Sequence, residues 1–362
     1  VQDLPLELGI PGVTIELSTG STTATGDYGQ YTLPVSGAED VLVTETDLPG
    51  YHSTTPNVVP VHITDTQQMY VVNFGDRADS QPGVSFFGTV FEDQNVNTVW
   101  DQPHELGLGG INVAITGSFD VAADPYVTNE LGQYTFLITN TGTFTVTETD
   151  PKGYVSTIAI PGRLSVVWVD NNTLSTEITA TLPGRDLGDN SFGDAQASEV
   201  ITVSGYVWDD NGAGGSTPAD GAWDSPDNPH GPQPGAEPGL AGAVVGVSSG
   251  QTQMTGSDGA FQLYAPPDEA ITLLEENPAG YISTGAVAGN DATQIDDDSL
   301  TIGPLSGGTT SAGNLFGDLL PADLEVVKSD DPDPVVAGTT LTYTLVFTNH
   351  GLGAVSYTHL TL

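Results

Sequence analysis

The segment from Asp93 to Asp101 carries residue types and a spacing that suit a hard divalent cation. Oxygen-bearing groups recur at relative positions 1, 3, 5, 7 and 9, in Asp93, Asn95, Asn97, the backbone carbonyl of Val99, and Asp101. Calcium loops use a similar alternation to surround the ion with about six to eight oxygens. The spacing therefore predicts a Ca²⁺ site in this segment.

Two departures from that spacing favour a simpler role. A calcium loop usually has Gly at position 6 and Glu at position 12. Here position 6 is Thr98 and position 12 is His104, with Glu105 one residue later. Asp and Asn also stabilise turns by bonding to their own backbone. If the segment binds calcium, Glu105 is the predicted ligand that closes the site. The alternative is that the segment is a turn without a cation.

A second acidic segment opens in the same way but is interrupted. It begins with Asp209, Asp210 and Asn211 and resumes, after an insertion, at Asp220 and Asp224. The same two interpretations apply here. The residues predict either a second Ca²⁺ site or a turn.

One Glu recurs at the end of an apolar strand pattern, at Glu45, Glu148 and Glu275. Phe144 and Val146 share a strand face with Glu148, because side chains in a strand alternate between faces. A carboxylate on the core face is costly unless it is neutral or bonded. We therefore predict that each Glu is a protonated or hydrogen-bonded structural residue that closes its sandwich.

These residues belong to three motifs that recur in the same order, each three times. The motifs are Glu-x-Gly-[Ile/Leu]-x-Gly, Glu-x4-Gly-Tyr-x-Ser-Thr and Phe-Gly-Asp. They begin at Glu7, Glu105 and Glu237, at Glu45, Glu148 and Glu275, and at Phe74, Phe192 and Phe316. Ordered internal repetition of this kind indicates tandem copies of one unit.

Each repeat reads as all-β, with period-2 alternation over short runs bounded by Gly, Pro, Asn and Asp. Strands about ten residues apart indicate antiparallel β-sandwiches. Val1 aligns with Val99, so the first repeat is predicted to lack its first strand. The predicted domains are a truncated repeat at 1–77, a repeat at 84–195, a repeat with an insertion at 200–319, and the start of a different sandwich at 322–362.

Composition limits the classes of partner. The 362 residues include 47 Asp plus Glu but only 5 Lys plus Arg, which gives a net charge of −42. A nucleic-acid binder or an anionic-membrane binder needs clustered basic residues, so neither partner is predicted. There are no cysteines, and no apolar run is long enough for a transmembrane helix. No nucleophile–base pair or paired-carboxylate arrangement is evident, so the predicted protein is not an enzyme and has no catalytic residues.

The repeats resemble the B-type domains of serine-aspartate repeat surface proteins, in the Cna-B class of adhesin stalk domains. The resemblance lies in the three motifs together with residues 88–93 and 205–210. The tail resembles a surface repeat called domain of unknown function eleven, through residues 323–328 and 343–351. Residues 356–362 depart from that pattern and are either translated adapter sequence or a third strand.

The resemblance implies prealbumin-like, Cna-B or Ig-like sandwiches, calcium in the acidic loops, and export to the cell surface or cell wall. In Cna-B relatives the matching Glu assists an isopeptide bond between a first-strand Lys and a last-strand Asn. The first strands at 85–91 and 201–208 contain no Lys, so that bond is not expected in the second and third repeats. Lys328 and Asn349 are the one pair in the tail that could form it.

The predicted function is a non-enzymatic, calcium-stiffened stalk of a large extracellular adhesin. Its expected partners are calcium ions and, through parts outside this chain, surface proteins or glycans of host or neighbouring cells. The alternative is a carbohydrate-binding accessory region of a secreted polysaccharide-active enzyme. An exposed row of aromatic side chains on one sandwich face would favour that alternative.

Overall fold

The computed structural model describes residues 8–117, 126–162, 165–180, 185–212, 218–219, 221, 237–331, 333–351 and 353. Regular structure in this part of the chain consists of twenty-six β-strands and no helix, which confirms the all-β prediction. A helix able to cross a membrane is therefore not found among these residues. By contacts, the chain divides into two compact units, Val1–Val200 and Ile201–Leu362.

The described part of the first repeat forms two sheets in the order β2-β1-β3-β5 and β4-β6. Its strands are β1 (Thr14–Leu17), β2 (Thr22–Ala24), β3 (Glu39–Thr46), β4 (Tyr51–Ser53), β5 (Val58–Ile63) and β6 (Asp76–Ala78). Buried Ile15, Val41 and Val61 contribute to its core.

The second repeat is a sandwich of a four-stranded and a five-stranded sheet, ordered β10-β7-β15-β12 and β13-β14-β11-β8-β9. Its strands are β7 (Val84–Glu92), β8 (Asn112–Gly117), β9 (Tyr126–Val127), β10 (Gln133–Ile138), β11 (Gly142–Thr149), β12 (Tyr154–Ile160), β13 (Val166–Asp170), β14 (Thr173–Ile178) and β15 (Arg185–Gln196). Phe86, Phe144 and Phe192 lie in the core between the sheets.

The third repeat, in the second unit, has the same sheet plan, ordered β19-β16-β24-β21 and β18-β17-β20-β23-β22. Its strands are β16 (Ile201–Asp209), β17 (Val244–Val247), β18 (Thr252–Met254), β19 (Ala260–Ala265), β20 (Ile271–Glu276), β21 (Ile282–Val287), β22 (Ala292–Asp296), β23 (Ser299–Ile302) and β24 (Thr310–Leu319). Val203, Leu273 and Phe316 are fully buried in its core.

The first and last strands of each complete sandwich lie side by side and parallel, β7 with β15 and β16 with β24. This pairing places the start of each acidic loop against the Phe-Gly-Asp motif. The Asp93 amide donates to the Asp194 carbonyl at 2.9 Å, and the Asp210 amide donates to the Asp318 carbonyl at 2.8 Å. Segments about a hundred residues apart in sequence are thereby brought to one place.

The tail forms an antiparallel hairpin of β25 (Leu324–Asp331) and β26 (Thr342–Asn349). Lys328 pairs with Leu345 and lies over the Tyr343 ring, with Nζ 4.0 Å from the ring centroid. Asn349 pairs with Leu324, four residues along the strand from Lys328. At about 3.3 Å per residue, the hairpin does not bring the two side chains of the suggested isopeptide bond together.

Candidate functional site

The acidic loop of the second repeat, residues 93–105, folds its polar side chains toward one another. The amide nitrogens of Asn95 and Asn97 both donate to Asp101 Oδ2, at 2.8 and 2.9 Å. Asp93 Oδ1 and Oδ2 accept backbone N–H groups from Asn97 and Thr98, at 3.1 and 3.0 Å. The loop therefore gathers four of the predicted side-chain ligands on its inner side, while Val99 is half exposed.

Glu105 ties the two ends of this loop together. Its carboxylate accepts the amides of Gln94 and Asp101, both at 2.9 Å, and its carbonyl accepts Trp100 Nε1 at 3.0 Å. The Trp100 ring stacks on buried Phe91 with centroids 5.3 Å apart. The loop is therefore closed by hydrogen bonds and anchored to β7 by an aromatic pair.

Two β-branched residues of the acidic loop have left-handed backbone angles. Val96 has φ of 55° and Thr98 has φ of 64°, a region that costs a non-Gly residue about 1–3 kcal/mol. Thr98 occupies the position where calcium loops place Gly, so it adopts the conformation that Gly would supply. Burial of the Val96 side chain, which is 1% exposed, helps to hold this conformation.

Burial and hydrogen bonding act in opposite directions on the acids of this loop. Burial raises the pKa of Asp93 and of Glu105 above their usual values. The amides of Asn95 and Asn97 lower the pKa of Asp101. Asp101 therefore ionises readily, whereas the ionised forms of Asp93 and Glu105 would be stabilised by a nearby positive charge.

The second acidic loop is only partly described. Asp210 is fully buried and its Oδ2 accepts the Gly221 amide at 2.9 Å, while Asn211 donates to Asp209 Oδ2 at 2.8 Å. Asp220 and Asp224 lie outside the described residues. Their predicted role as ligands stays a prediction.

Glu237 is a loop residue that the sequence did not assign to the site. It is fully buried and accepts the Gly212 amide at 3.0 Å, as Glu105 accepts the Gln94 amide. The signal was present, because both acids begin the repeated Glu-x-Gly motif.

Two of the three predicted structural acids, Glu45 and Glu148, each lie in a group of three carboxylates among the described residues. The first-repeat triad is Glu45, Asp47 and Asp76, and the second-repeat triad is Glu148, Asp150 and Asp194. Within each triad, one oxygen from each residue lies within 4.8 Å of the others. Glu45, Glu148 and Asp194 are 3%, 2% and 0% exposed, so these carboxylates are in the sandwich interior.

Carboxylates this close and this buried hold their protons strongly. Burial, followed by repulsion from Asp194 and Asp150, raises the pKa of Glu148 to about 9. Burial and Asp150 raise the pKa of Asp194 to about 8. In the first repeat, burial and neighbouring acids raise the pKa of Glu45 to about 8 and of Asp76 to about 6.

The third repeat places an amide where the triads have their middle carboxylate. With its amide oriented to satisfy both of its atoms, Asn277 Nδ2 lies 2.8 Å from Glu275 Oε2 and 3.1 Å from Asp318 Oδ1. Its Oδ1 accepts the Ser283 amide at 3.0 Å. Burial and neighbouring acids still raise the pKa of Glu275 to about 8 and of Asp318 to about 7.

Sequence reasoning singled out the three Glu residues but missed the acids beside them. Asp150 follows Glu148 by two residues, just past the end of β11, and Asp194 ends the Phe-Gly-Asp motif. Both were visible as parts of repeated motifs. Only the pairing of β12 with β15 and the packing of the two sheets bring them to one point.

The fold and these repeated acidic features define a class of tandem B-type β-sandwich domains. Residues 86–193 match the family described as SdrD B-like domain, so the second repeat is similar to that family. The match confirms the resemblance inferred from the motifs. The resemblance of the tail to domain of unknown function eleven stays a prediction.

Similar proteins carry the same kind of region within much longer chains. Serine-aspartate repeat-containing protein D of Staphylococcus aureus (strain MW2) is 26% identical over 310 residues, which cover 80% of this chain and 21% of the relative. Protein F of Staphylococcus epidermidis is 24% identical over 223 residues, covering 60% of this chain and 12% of the relative. The chain thus spans about a fifth or less of these relatives' lengths.

A streptococcal ancillary pilin is a structural neighbour at 13% identity, with 86% of this chain and 94% of that chain covered and a TM-score of 0.22. A score this low adds nothing to the fold described above.

Proposed function

We propose that this chain is a non-enzymatic structural spacer within a larger extracellular surface protein of the adhesin type. The observation that carries the proposal is repetition of one sandwich plan, with the same strand order in the second and third repeats. The chain passes from β15 to β16 through residues 197–200 alone. Sandwiches joined in series by short connections are typical of a spacer. The number of sandwiches then sets the distance that the spacer covers.

Calcium bound at the acidic loops would stiffen this spacer. In the second repeat, Asp93, Asn95, Asn97, Asp101 and Glu105 supply oxygen donors of the kind that Ca²⁺ prefers. The loop already has the positive φ that a calcium loop needs at its sixth position. A bound cation would relieve repulsion among the carboxylates and fix the loop between β7 and the strands that follow. Asp209, Asp210, Asn211 and Glu237 would do the same in the third repeat.

The tryptophans give the carbohydrate-binding alternative little support. Trp208 is fully buried, and Trp100 stacks on Phe91 inside the acidic loop. Trp168, on edge strand β13, is 37% exposed. In the part of the chain that the structure describes, these three rings do not form the exposed row that stacking on a sugar chain would need.

Thermal unfolding of the full chain in calcium and in chelator tests the stiffened spacer. Calcium at about a hundred times its Kd would stabilise the folded state by about 2.7 kcal/mol per site. We expect a calcium-dependent rise in Tm that Asp101→Asn reduces. The control is Asp27→Asn, which removes the same charge from an exposed turn and should leave the rise unchanged. A melt that calcium does not shift would show that the loops are turns without a cation.

Deletion of residues 84–195 from the surface protein that carries this chain tests the spacer role itself. We expect surface display and ligand binding to persist while the reach of the binding region from the cell decreases. Loss of ligand binding by the purified, folded deletion protein would assign a binding role to the second repeat and contradict the proposal.

A further inference from the structure

The two carboxylate triads lie outside the acidic loops and have no role in the calcium site described above. We propose that each triad, Glu45/Asp47/Asp76 and Glu148/Asp150/Asp194, binds a divalent cation of the calcium type in the interior of its repeat. These sites do not depend on whether the acidic loops bind calcium.

The spacing of the triad oxygens fits one hard cation. Oxygens that ligate the same Ca²⁺ at about 2.3–2.6 Å can be at most about 4.6–5.2 Å apart. In each triad, one oxygen from each of three acids lies within 4.8 Å of the other two. A single ion can therefore contact all three acids with little movement of their side chains.

The innermost acids of the second triad have no hydrogen-bond donor and no opposite charge among the described residues. Glu148 and Asp194 are 2% and 0% exposed, and neither oxygen of either side chain accepts a hydrogen bond from the described residues. Charged groups of the described residues that act on them are other acids. Buried carboxylates normally have donors or an opposite charge, so this pair points to a positive ligand.

The first repeat has a similar arrangement, although there His52 acts on Asp76 and lowers its pKa. Glu45 is 3% exposed, and neither its two carboxylate oxygens nor Asp76 Oδ1 accepts a hydrogen bond from the residues that the structure describes. The middle acid, in contrast, is held in place in both repeats. Asp47 accepts Asn57 Nδ2 at 2.8 Å, and Asp150 accepts Asn172 Nδ2 at 2.9 Å.

Each of those two Asn residues also offers an unused oxygen. Asn57 Oδ1 and Asn172 Oδ1 are both buried and accept no hydrogen bond within the described residues. Each lies on a side chain that already contacts the middle acid of its triad. An amide oxygen is a normal Ca²⁺ ligand, so the Asn Oδ1 atom is a candidate fourth protein ligand at each site.

The third repeat has Asn277 in place of the middle acid of the triads. There the Asn277 amide faces both Glu275 and Asp318, and its N–H groups supply the positive end of a dipole to the two carboxylates. The first two repeats have Asp at that position, which supplies no donor. Asp298 of the third repeat takes the place of their Asn57 and Asn172, so all three clusters contain three acids and only the third has an amide donor facing two of them. In the first two repeats a cation would supply the positive partner that the amide supplies, to one oxygen of each acid, in the third.

Counting bound calcium ions on the full chain by equilibrium dialysis tests this proposal. Asp150→Asn and Asp47→Asn should each lose one bound Ca²⁺ per chain, and the double variant should lose two. The substituted amide is accommodated at this position in the third repeat, so the variants should fold. Circular dichroism in chelator checks this, and Asp27→Asn should bind as many ions as the original chain.

The acidic loop is tested separately in the same assay. Asp101→Asn removes a loop ligand but leaves both triads intact, so a loss confined to that variant would support loop binding and overturn triad binding. A loss confined to the Asp47 and Asp150 variants would support the triads without the loop. If the double variant binds as many ions as the original chain, the carboxylates are neutralised by protons and the proposal is wrong.

Discussion

The second and third repeats share one strand order but differ in how they neutralise the same buried carboxylates. Asp150 in the second repeat corresponds to Asn277 in the third, two residues after the repeated Glu in each case. In the third repeat an amide faces Glu275 and Asp318, whereas Glu148 and Asp194 accept no hydrogen bond from the described part of the chain. The amide satisfies one oxygen of each acid that it faces, while Glu275 Oε1 and Asp318 Oδ2 accept no hydrogen bond from the described residues. The second-repeat acids lack even that donor.

The acidic loops differ in a parallel way. In the second repeat the ligands lie within residues 93–105, and their side chains bond to one another. In the third repeat an insertion follows Asn211, and Asp210 is held by the distant Gly221 amide. The two repeats thus keep one strand order and a buried apolar core while their acidic loops differ.

The largest effect should come from the apolar cores, which are separate in the two repeats but contain Phe at the same motif position. Phe192→Ala and Phe316→Ala each remove a fully buried ring, and such changes cost about 3–5 kcal/mol. We expect similar losses in both repeats, measured by denaturant unfolding in chelator. If only one of the two substitutions lowered stability, the two cores would differ in packing despite their matching strand order.

The next largest effect should come from giving the third repeat the Asp that the second repeat has two residues after the repeated Glu. Asn277→Asp removes the donor from buried Glu275 and Asp318, and leaving buried acceptors unsatisfied costs about 1–3 kcal/mol. We expect the third repeat to lose stability in chelator and to regain part of it in calcium. Asn290→Asp, which also replaces Asn by Asp in the third repeat, is the control and should show no calcium-dependent recovery.

A pH effect should follow from the buried acids of the third repeat. Folding raises the pKa of Glu275 from 4.5 to about 8, so between these values the proton is bound only in the folded state. Stability in chelator should therefore fall as pH rises from about 5 to about 8. Glu275→Gln cannot ionise and should flatten this dependence, which thermal melts at several pH values would measure. An equal slope in the variant would assign the dependence to other groups.

The smallest effect concerns the acidic loop of the second repeat. Thr98 has φ of 64°, so Thr98→Gly relieves strain of about 1–3 kcal/mol but adds backbone entropy worth about 0.5–1 kcal/mol. The net gain should be about 1 kcal/mol by thermal unfolding. The matched change Thr116→Gly, within β8, has no positive φ to relieve and should destabilise the protein.

The sequence by itself determined the all-β class, the repetition and the interior position expected for one Glu in each repeat. Period-2 alternation is a local property, so Phe144, Val146 and Glu148 could be assigned to one face without a structure. The clustering within 93–105 was also readable, because its residues are close in the chain. The resemblance to B-type domains depended on motifs of the same local kind.

Only the tertiary structure decided which acids meet. Glu148 and Asp194 are 46 residues apart in number, and no local pattern links them. They meet because β15 pairs with both β7 and β12, and packing of the two sheets brings that strand against β11. The strength of their mutual repulsion likewise depends on burial between the sheets, since the same carboxylates in water would be solvated and largely screened.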